Sequence, residues 1–165
     1  MTGVRAPLRG VELPGVADTE ALGERLAAGL AAGDLVVLAG PLGAGKTALV
    51  RGLARGLGVT GPVTSPTFVI AREHRAGRPG GVPLVHVDAY RLGLGAAAGI
   101  DVAAELDDLD LDTDLTAAVV AVEWGEGVAE RLADRHLLVR LDRRDDDVRV
   151  ADVAWVERPS PAPGA

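Results

Sequence analysis

Several residue types are missing or scarce in this chain of 165 residues, and each shortage excludes a class of protein. Cysteine is absent, so a disulfide framework, thiolate chemistry and cysteine-based metal sites are excluded. The first residues, MTGVRAPLRGVELPG, lack the apolar run of a signal peptide. No stretch reaches the roughly 18 consecutive apolar residues of a membrane span. We therefore expect no membrane association and a cytoplasmic location.

Positive charge is scarce as well: the formal net charge is -7 and the sequence pI is about 4.9. Proteins that grip nucleic acid alone are usually basic, because phosphate neutralisation supplies most of the affinity. The nearest approach to a basic patch is RGLAR at 51–55, which is more typical of a solvated helix face. The composition therefore favours a protein partner over direct contact with RNA or DNA.

Apolar residues follow a pattern that alternates between helical and strand spacing. TEALGERLAAGLAAG predicts a helix with Asp18 or Thr19 as its N-cap and Gly33 at its end. DLVVLAG predicts a buried strand over 35–39, and KTALVRGLARGLG a helix that Gly58 ends. Further strands are predicted in FVIAREH, PLVHVDAY, AVVAVEW, HLLVRLD and DVRVADVAWV.

Strand, glycine loop and helix in this order predict an α/β protein with the P-loop NTPase fold, a mostly parallel sheet flanked by helices. The last two strands, joined by the short turn RRDD, predict an antiparallel hairpin at one edge of the sheet. We expect a single domain over residues 1–156. The Pro-rich segment 157–165 is expected to be a disordered tail.

The stretch GPLGAGKT contains the only lysine among the 17 lysine and arginine residues. It matches the Walker A motif G-x-x-x-x-G-K-[ST] in full, between a predicted strand and a predicted helix. Gly43 and Gly45 let the backbone curl so that the amides of residues 43–47 point toward a triphosphate. The predicted nucleotide-binding residues are Leu42, Gly43, Ala44, Gly45, Lys46 and Thr47.

Lys46 and Thr47 have separate roles in this motif. The compact ammonium of Lys46 fits inside the loop and reaches the β and γ phosphates, whereas a wider, planar guanidinium would compete with the amides. The Thr47 hydroxyl is a ligand for Mg²⁺. The motif therefore predicts that a nucleotide triphosphate and Mg²⁺ are bound together.

Two acids at the ends of predicted strands are candidates for the Mg²⁺ shell: Asp88 ends LVHVD and Glu123 ends AVVAVE. Glu123 is the better candidate because its strand is more uniformly apolar. Three roles remain open for Asp88: it could orient water, hold the metal shell or act in switching. His86, which interrupts the strand before Asp88, is a candidate for a hydrogen bond within the site.

A threonine on the loop after the P-loop helix senses the γ-phosphate in P-loop switches. Thr64, Ser65 and Thr67 of TSPT are the corresponding candidates here, with an ordinary proline turn as the alternative. The aromatic residues Phe68, Tyr90 and Trp124 lie next to these polar positions, and core packing is the simplest explanation for Phe68.

The motif N-K-x-D, which reads guanine in small GTPases, is excluded because the single lysine is already in the glycine loop. ATP is therefore the favoured nucleotide. Two further classes stay open from the residues alone. One is a small-molecule P-loop kinase, which usually needs an arginine-bearing lid. The other is an adaptor that senses a nucleotide without hydrolysing it.

GPLGAGKT, SPTF, HVDAYRL, ELDDLDL and VEWGE resemble the TsaE (YjeE-type) family in order and spacing, over about residues 18–142. The resemblance implies a weak ATPase with an ATP–Mg²⁺ site. It implies that the ATPase is required for threonylcarbamoyladenosine (t6A) modification of tRNA. It also implies that the ATPase works with the proteins TsaB and TsaD, so that its contact with tRNA is indirect. It also implies that Lys46 and Thr47 bind phosphate and metal. By the same resemblance, Glu123 is expected to be the Mg²⁺-side acid, and Asp88 is expected to be needed for activity near the γ-phosphate.

The chain departs from the family pattern in three places. Pro41 and Ala48 replace an acid and a threonine, at positions that need not supply a side chain to phosphate. The segment 93–104 is longer than the family pattern leads us to expect, so its contacts are not predicted. The sequence does not identify the residues that bind adenine either, and the stretch near Asp18 and Thr19 is only a weak candidate for this pocket.

Overall fold

The computed structural model describes residues 6–59, 61–63, 71–88, 115–123 and 133–158. The strands in these ranges are β1 (Leu8–Leu13), β2 (Leu35–Ala39), β3 (Ala71–His74), β4 (Leu84–Asp88), β5 (Val119–Glu123), β6 (Arg135–Arg143) and β7 (Arg149–Glu157). The α-helices are α1 (Val16–Ala27) and α2 (Lys46–Leu57), and Leu115–Ala117 is a short 3-10 helix. No helix in the described ranges is long and apolar enough to cross a membrane.

The described strands form one mixed sheet in the order β1-β7-β6-β2-β5-β4-β3. The central strand β2 pairs in parallel with β5 on one side and β6 on the other, and β4 pairs in parallel with β5. The pairs β3–β4, β6–β7 and β1–β7 are antiparallel. The predicted α/β class and the parallel centre around the glycine loop are confirmed.

The predicted hairpin is present, but its predicted place at the edge is wrong. β6 and β7 pair antiparallel along their whole length, from Arg135 and Glu157 to Arg143 and Arg149. However, β1 pairs with the outer side of β7 and is itself the edge strand. No local pattern in residues 8–13 encodes their pairing with a strand more than a hundred residues away.

The end of the sheet lies beyond the predicted domain boundary. β7 continues to Glu157, and the N–H of Arg158 donates to the Asp134 carbonyl at 2.7 Å. Glu157 of the predicted tail therefore belongs to β7, Arg158 is hydrogen-bonded to the residue before β6, and 159–165 lie outside the described residues.

The start of α1 is earlier than predicted. The helix begins at Val16 with Gly15 as its N-cap, and Asp18 lies inside the first turn. Its carboxylate accepts the N–H of Gly15 at 2.8 Å, so Asp18 caps the helix from the third helical position. The helix ends at Ala27, before Gly33. α2 ends as predicted, at a glycine with positive φ.

Both helices lie on one face of the sheet and approach each other closely. A Cβ on Gly52 of α2 would lie 1.9 Å from the Glu20 carbonyl oxygen of α1, and one on Gly23 would lie 2.3 Å from the Leu49 carbonyl oxygen. These glycines let the two backbones meet. The buried leucines of both helices pack with β2, β5 and β6 in the larger core cluster, and a second cluster covers part of the other face.

Candidate functional site

Three neighbouring parallel strands end at the same edge of the sheet, and the candidate residues lie there. β2 leads through Ala39 into Gly40, β4 ends at Asp88, and β5 ends at Glu123. In the strand register Leu38 is paired with Glu123, and Glu123 is paired with Asp88. Open α/β sheets bind ligands outside the carboxyl ends of their strands. The fold therefore brings together residues that are far apart in sequence.

The glycine loop between β2 and α2 depends on backbone conformations that favour glycine. Gly40, Gly43 and Gly45 have φ angles of 143°, 80° and 102°. A Cβ on Gly40 would also lie 2.1 Å from the Leu141 carbonyl oxygen, so the loop could not pass β6 with a larger residue there. The glycines thus fix both the curl of the loop and its closeness to the sheet.

The helix that follows presents its N-terminus to this loop. α2 begins at Lys46, directly after Gly45, and the N–H of Ala44 donates to the Pro41 carbonyl at 3.2 Å. The first N–H groups of an α-helix lack intrahelical partners and carry partial positive charge. Thr47, in the first turn of α2, is half-buried, whereas the side chain of Leu42 is 89% exposed. Leu42 can therefore offer a ligand in the loop only its backbone.

Lys46 is buried and folds back over the loop. Its Nζ donates to the carbonyl oxygens of Gly40 at 2.6 Å and Pro41 at 3.1 Å. Burial lowers the pKa of the Lys46 ammonium, and the negative charges of Glu123 and Asp88 oppose this shift. An ammonium at the start of a helix can form charge-assisted hydrogen bonds with phosphate oxygens.

Glu123 is buried, with 6% of its surface exposed. Its Oε2 accepts a hydrogen bond from Nε2 of His86 at 3.0 Å, and the His86 side chain is fully buried. The predicted hydrogen bond of His86 within the site is therefore confirmed. A buried carboxylate needs such partners because desolvation penalises its charge.

The predicted switch residues Thr64, Ser65 and Thr67 lie outside the described residues. The aromatic residues Phe68, Tyr90 and Trp124 and the segment 93–104 also lie outside them. Their proximity to the site therefore stays a prediction. Asp88 is described and half-exposed at the end of β4, beside Glu123.

Thr19 and Arg149 flank the glycine loop. A Cβ on Gly45 would lie 3.5 Å from Cγ2 of Thr19 and 4.0 Å from Cγ of Arg149. Nη2 of Arg149 donates to the Gly43 carbonyl at 3.1 Å. The weak candidate Thr19 thus lies at the loop, whereas Asp18 caps α1. The position of Arg149 beside the loop was not predicted from the sequence, because no local pattern links a residue at the start of β7 to a loop so far away.

A cavity of about 820 Å³ adjoins the start of the glycine loop, between it and the β6–β7 hairpin. Arg140, Asp142 and Asp152 line it with the backbone of Gly40 and Pro41, but Lys46, Asp88 and Glu123 do not. Since the three predicted site residues are absent from its wall, this cavity is a neighbour of the predicted phosphate site and not the site itself.

The RGLAR patch on α2 is engaged within the chain. Arg51 and Arg55 donate to the two carboxylate oxygens of Glu20 at 3.2 and 3.1 Å. These donors lower the pKa of Glu20. The arginines therefore pair with α1, as expected for a solvated helix face and not for a free basic surface.

The residues at this edge have the chemistry of a site for a phosphate chain with Mg²⁺. The loop supplies backbone N–H donors at a helix N-terminus, Lys46 a cation, Thr47 a hydroxyl, and Glu123 and Asp88 carboxylates. Mg²⁺ prefers oxygen ligands and usually takes one or two from the protein together with phosphate oxygens. The fold and site together define an α/β protein with a glycine loop suited to bind phosphate.

The comparisons with known proteins then identify the family. The sequence profile described as "Threonylcarbamoyl adenosine biosynthesis protein TsaE" matches residues 13–151, and the chain belongs to this family. The TsaE protein of Mycobacterium bovis is 60% identical over 144 residues, which is 87% of this chain and 84% of that protein. TsaE of Bacillus subtilis is 38% identical over 133 residues, 80% of this chain and 76% of that protein.

A solved structure supports the same assignment. The crystal structure of Bacillus subtilis YdiB superposes with a TM-score of 0.65 at 30% sequence identity. The match covers 90% of this chain and 86% of that one. The relatives are named for threonylcarbamoyladenosine biosynthesis in tRNA, and the resemblance seen in the motifs is confirmed at the level of the family.

Proposed function

We propose that this chain is a P-loop ATPase that binds ATP with Mg²⁺, hydrolyses it slowly alone, and acts as a nucleotide-dependent switch on a TsaB–TsaD complex during t6A modification of tRNA. The strand register sets Asp88 and Glu123 at the strand ends beside the glycine loop that leads into Lys46, and this observation carries the proposal. Family membership supports the role in t6A formation.

The phosphate end of ATP belongs beside β4 and β5. Lys46 leaves the carbonyls of Gly40 and Pro41 and binds the β and γ phosphates. Thr47 and Glu123 would hold the Mg²⁺ shell, and Mg²⁺ would supply charge neutralisation for the β and γ phosphates. Asp88, one strand farther out than Glu123, orients water at the γ-phosphate.

The adenosine end belongs on the opposite flank. The sheet order places β5 and β4 on one side of β2, and β6 and β7 on the other. If the γ-phosphate faces the carboxylates, the base leaves the loop toward Thr19 and Arg149. The Arg149 guanidinium is a polar group available there to contact the nucleoside, whereas Thr19 is buried beside the loop.

The proposed partner surface lies around the same site. ATP orders the loop containing Thr64, Ser65 and Thr67 together with the Asp88 segment, and this surface docks on TsaB–TsaD in the cytoplasm. Among the described residues, the large apolar side chains that are exposed are Val16, at 62%, and Leu42, at 89%. Leu42 lies in the glycine loop and Val16 one helical turn before Thr19, so both flank the nucleotide site and are available to a protein partner.

Phosphate release tests the proposal. It is measured for the chain alone, with a panel of small metabolites, and with TsaB–TsaD. We expect slow release alone and stimulation by TsaB–TsaD. Formation of ADP that a metabolite stimulates without matching release of inorganic phosphate would identify a kinase, because the γ-phosphoryl group is then transferred to the metabolite. Binding of ATP without release under any condition would identify a nucleotide-sensing adaptor, and either result would contradict the ATPase switch.

Indirect contact with tRNA is tested separately. The net charge of -7 and the pairing of Arg51 and Arg55 with Glu20 predict negligible binding of tRNA by the purified chain at physiological salt. Titration of labelled tRNA, with and without TsaB–TsaD, measures it. Tight binding without the partners would overturn this part of the proposal.

A further inference from the structure

His86 is a buried polar side chain for which the proposed function has no role. It lies on β4, in register with Ala121 of β5, and its side chain is fully buried. A histidine in a central strand loses solvation that an apolar residue would not lose. Its one hydrogen bond in the described structure joins Nε2 to Oε2 of Glu123 at 3.0 Å.

The surroundings of the ring select one tautomer. An ionised carboxylate can only accept, so Nε2 of His86 must carry the hydrogen that it donates to Glu123. Nδ1 is buried without a hydrogen-bond partner in the described structure. A bare ring nitrogen there leaves one acceptor unsatisfied, whereas the other tautomer would bury an unpaired N–H and also lose the bond to Glu123.

We propose that His86 is a positioning residue for the metal site. Its Nε2–H fixes the Oε2 atom of Glu123, so that the second carboxylate oxygen stays available to the Mg²⁺ shell. This inference rests on the proposed metal role of Glu123. Mg²⁺ demands near-ideal geometry from its oxygen ligands, so a carboxylate free to rotate is a poorer ligand than one held at a single orientation.

The chain offers a matched control in His74. This histidine lies on the neighbouring strand β3, is 7% exposed, and also has a buried ring nitrogen without a partner. It pairs with Leu84, two positions before His86, and the structure shows no hydrogen bond between it and Glu123. Replacing His74 therefore reports the cost of altering a buried histidine in this sheet without touching the carboxylate.

Two amide substitutions separate positioning from packing. In His86→Gln the side-chain amide reaches about as far as Nε2, whereas in His86→Asn it reaches only about as far as Nδ1. Both are polar and uncharged, and both are compared with His74→Gln and Glu123→Gln. Binding of a fluorescent ATP analogue is titrated in EDTA and again in Mg²⁺, and the ratio of the two affinities measures the contribution of the metal.

We expect His86→Asn to leave the affinity in EDTA within about twofold and to lower the Mg²⁺-dependent gain by about tenfold or more. His86→Gln retains most of the gain, and His74→Gln retains all of it. A full gain in His86→Asn, or equal losses in both His86 variants and in His74→Gln, would overturn the positioning role.

Glu123→Gln distinguishes this failure from failure of the proposed function. If Glu123→Gln loses the gain while His86→Asn keeps it, only the positioning role is wrong. If Glu123→Gln keeps the gain, the metal role of Glu123 is wrong and the positioning role falls with it.

A second measurement needs neither nucleotide nor metal. The chain has only three histidines, so ¹⁵N–¹H correlation spectra of the imidazole rings can be assigned with the two His86 variants. We expect the Nε2–H tautomer for His86 in the free wild-type protein. An Nδ1–H tautomer would overturn the inference even if the variants had bound nucleotide as expected.

Discussion

Asp88 and Glu123 are paired residues at the ends of the parallel strands β4 and β5, so their side chains leave the same face of the sheet side by side. The negative charges of both act on the Lys46 ammonium, which starts α2 on that face. The arrangement of one cation between a glycine loop and two carboxylates is the basis of the following predictions.

Lys46→Ala should lower ATP affinity by about 10- to 100-fold, because a charged hydrogen bond is worth roughly 1.5–3 kcal/mol. Lys46→Arg should not restore it, since the planar guanidinium is too wide for the loop. Calorimetric titration with ATP measures both. Arg25→Ala, an exposed position on α1, is the control and should bind as wild type. Wild-type affinity in Lys46→Arg would contradict the argument from shape.

Glu123→Ala should lower phosphate release by about tenfold or more while changing nucleotide affinity less, since the metal shell matters most as charge develops. Asp88→Asn is measured beside it under TsaB–TsaD stimulation. Unchanged turnover in Glu123→Ala, with turnover lost in Asp88→Asn, would move the metal role to Asp88.

Arg149→Ala should weaken ATP binding but not the binding of inorganic tripolyphosphate, because Arg149 lies on the nucleoside flank of the loop. We expect about a twofold to tenfold loss for ATP, the size of one hydrogen bond. Competition against a fluorescent nucleotide measures both ligands. An equal loss for tripolyphosphate would show that Arg149 acts by shaping the loop through the Gly43 carbonyl.

Gly52→Ala should destabilise the fold by roughly 1–3 kcal/mol, because the added Cβ would lie 1.9 Å from the Glu20 carbonyl oxygen and force α1 and α2 apart. At an exposed helical position the same change would stabilise by up to about 1 kcal/mol. The sign of the change in the free energy of unfolding therefore decides between the two outcomes, and urea denaturation measures it. The reverse change Ala21→Gly, on the exposed face of α1, serves as the control for helix propensity.

His74 should make stability depend on pH in the acidic range. Burial, and then the neighbouring His86 and Arg72, lower the pKa of His74 from its ordinary 6.5. Below pH 6.5 the unfolded chain thus binds more protons than the folded one, and the free energy of unfolding falls as pH falls. Urea denaturation between about pH 5 and 7.5 should show a shallower slope for His74→Gln than for wild type. Equal slopes would contradict this assignment.

Those parts of the fold that depend on residues close together in the sequence were predictable. The glycine loop, the strand before it and the helix after it follow from the positions of Gly40 to Thr47, because each residue type there meets a backbone or phosphate requirement. The strand-end positions of Glu123 and Asp88 were predicted as well, because an acid at the end of an apolar strand stands out. The contact of Arg149 with the loop and the position of β1 as the edge strand were not predicted, since their partners lie more than a hundred residues away.

By itself, the sequence determined the glycine loop, the family motifs and the α/β class, because these follow from residue types and spacings that are close together in the chain. The tertiary structure decided which distant groups meet. It paired His86 with Glu123, set Thr19 and Arg149 beside the loop, and covered the β6–β7 hairpin with β1. These contacts depend on strand order and register, and no local spacing of residues encodes either of them.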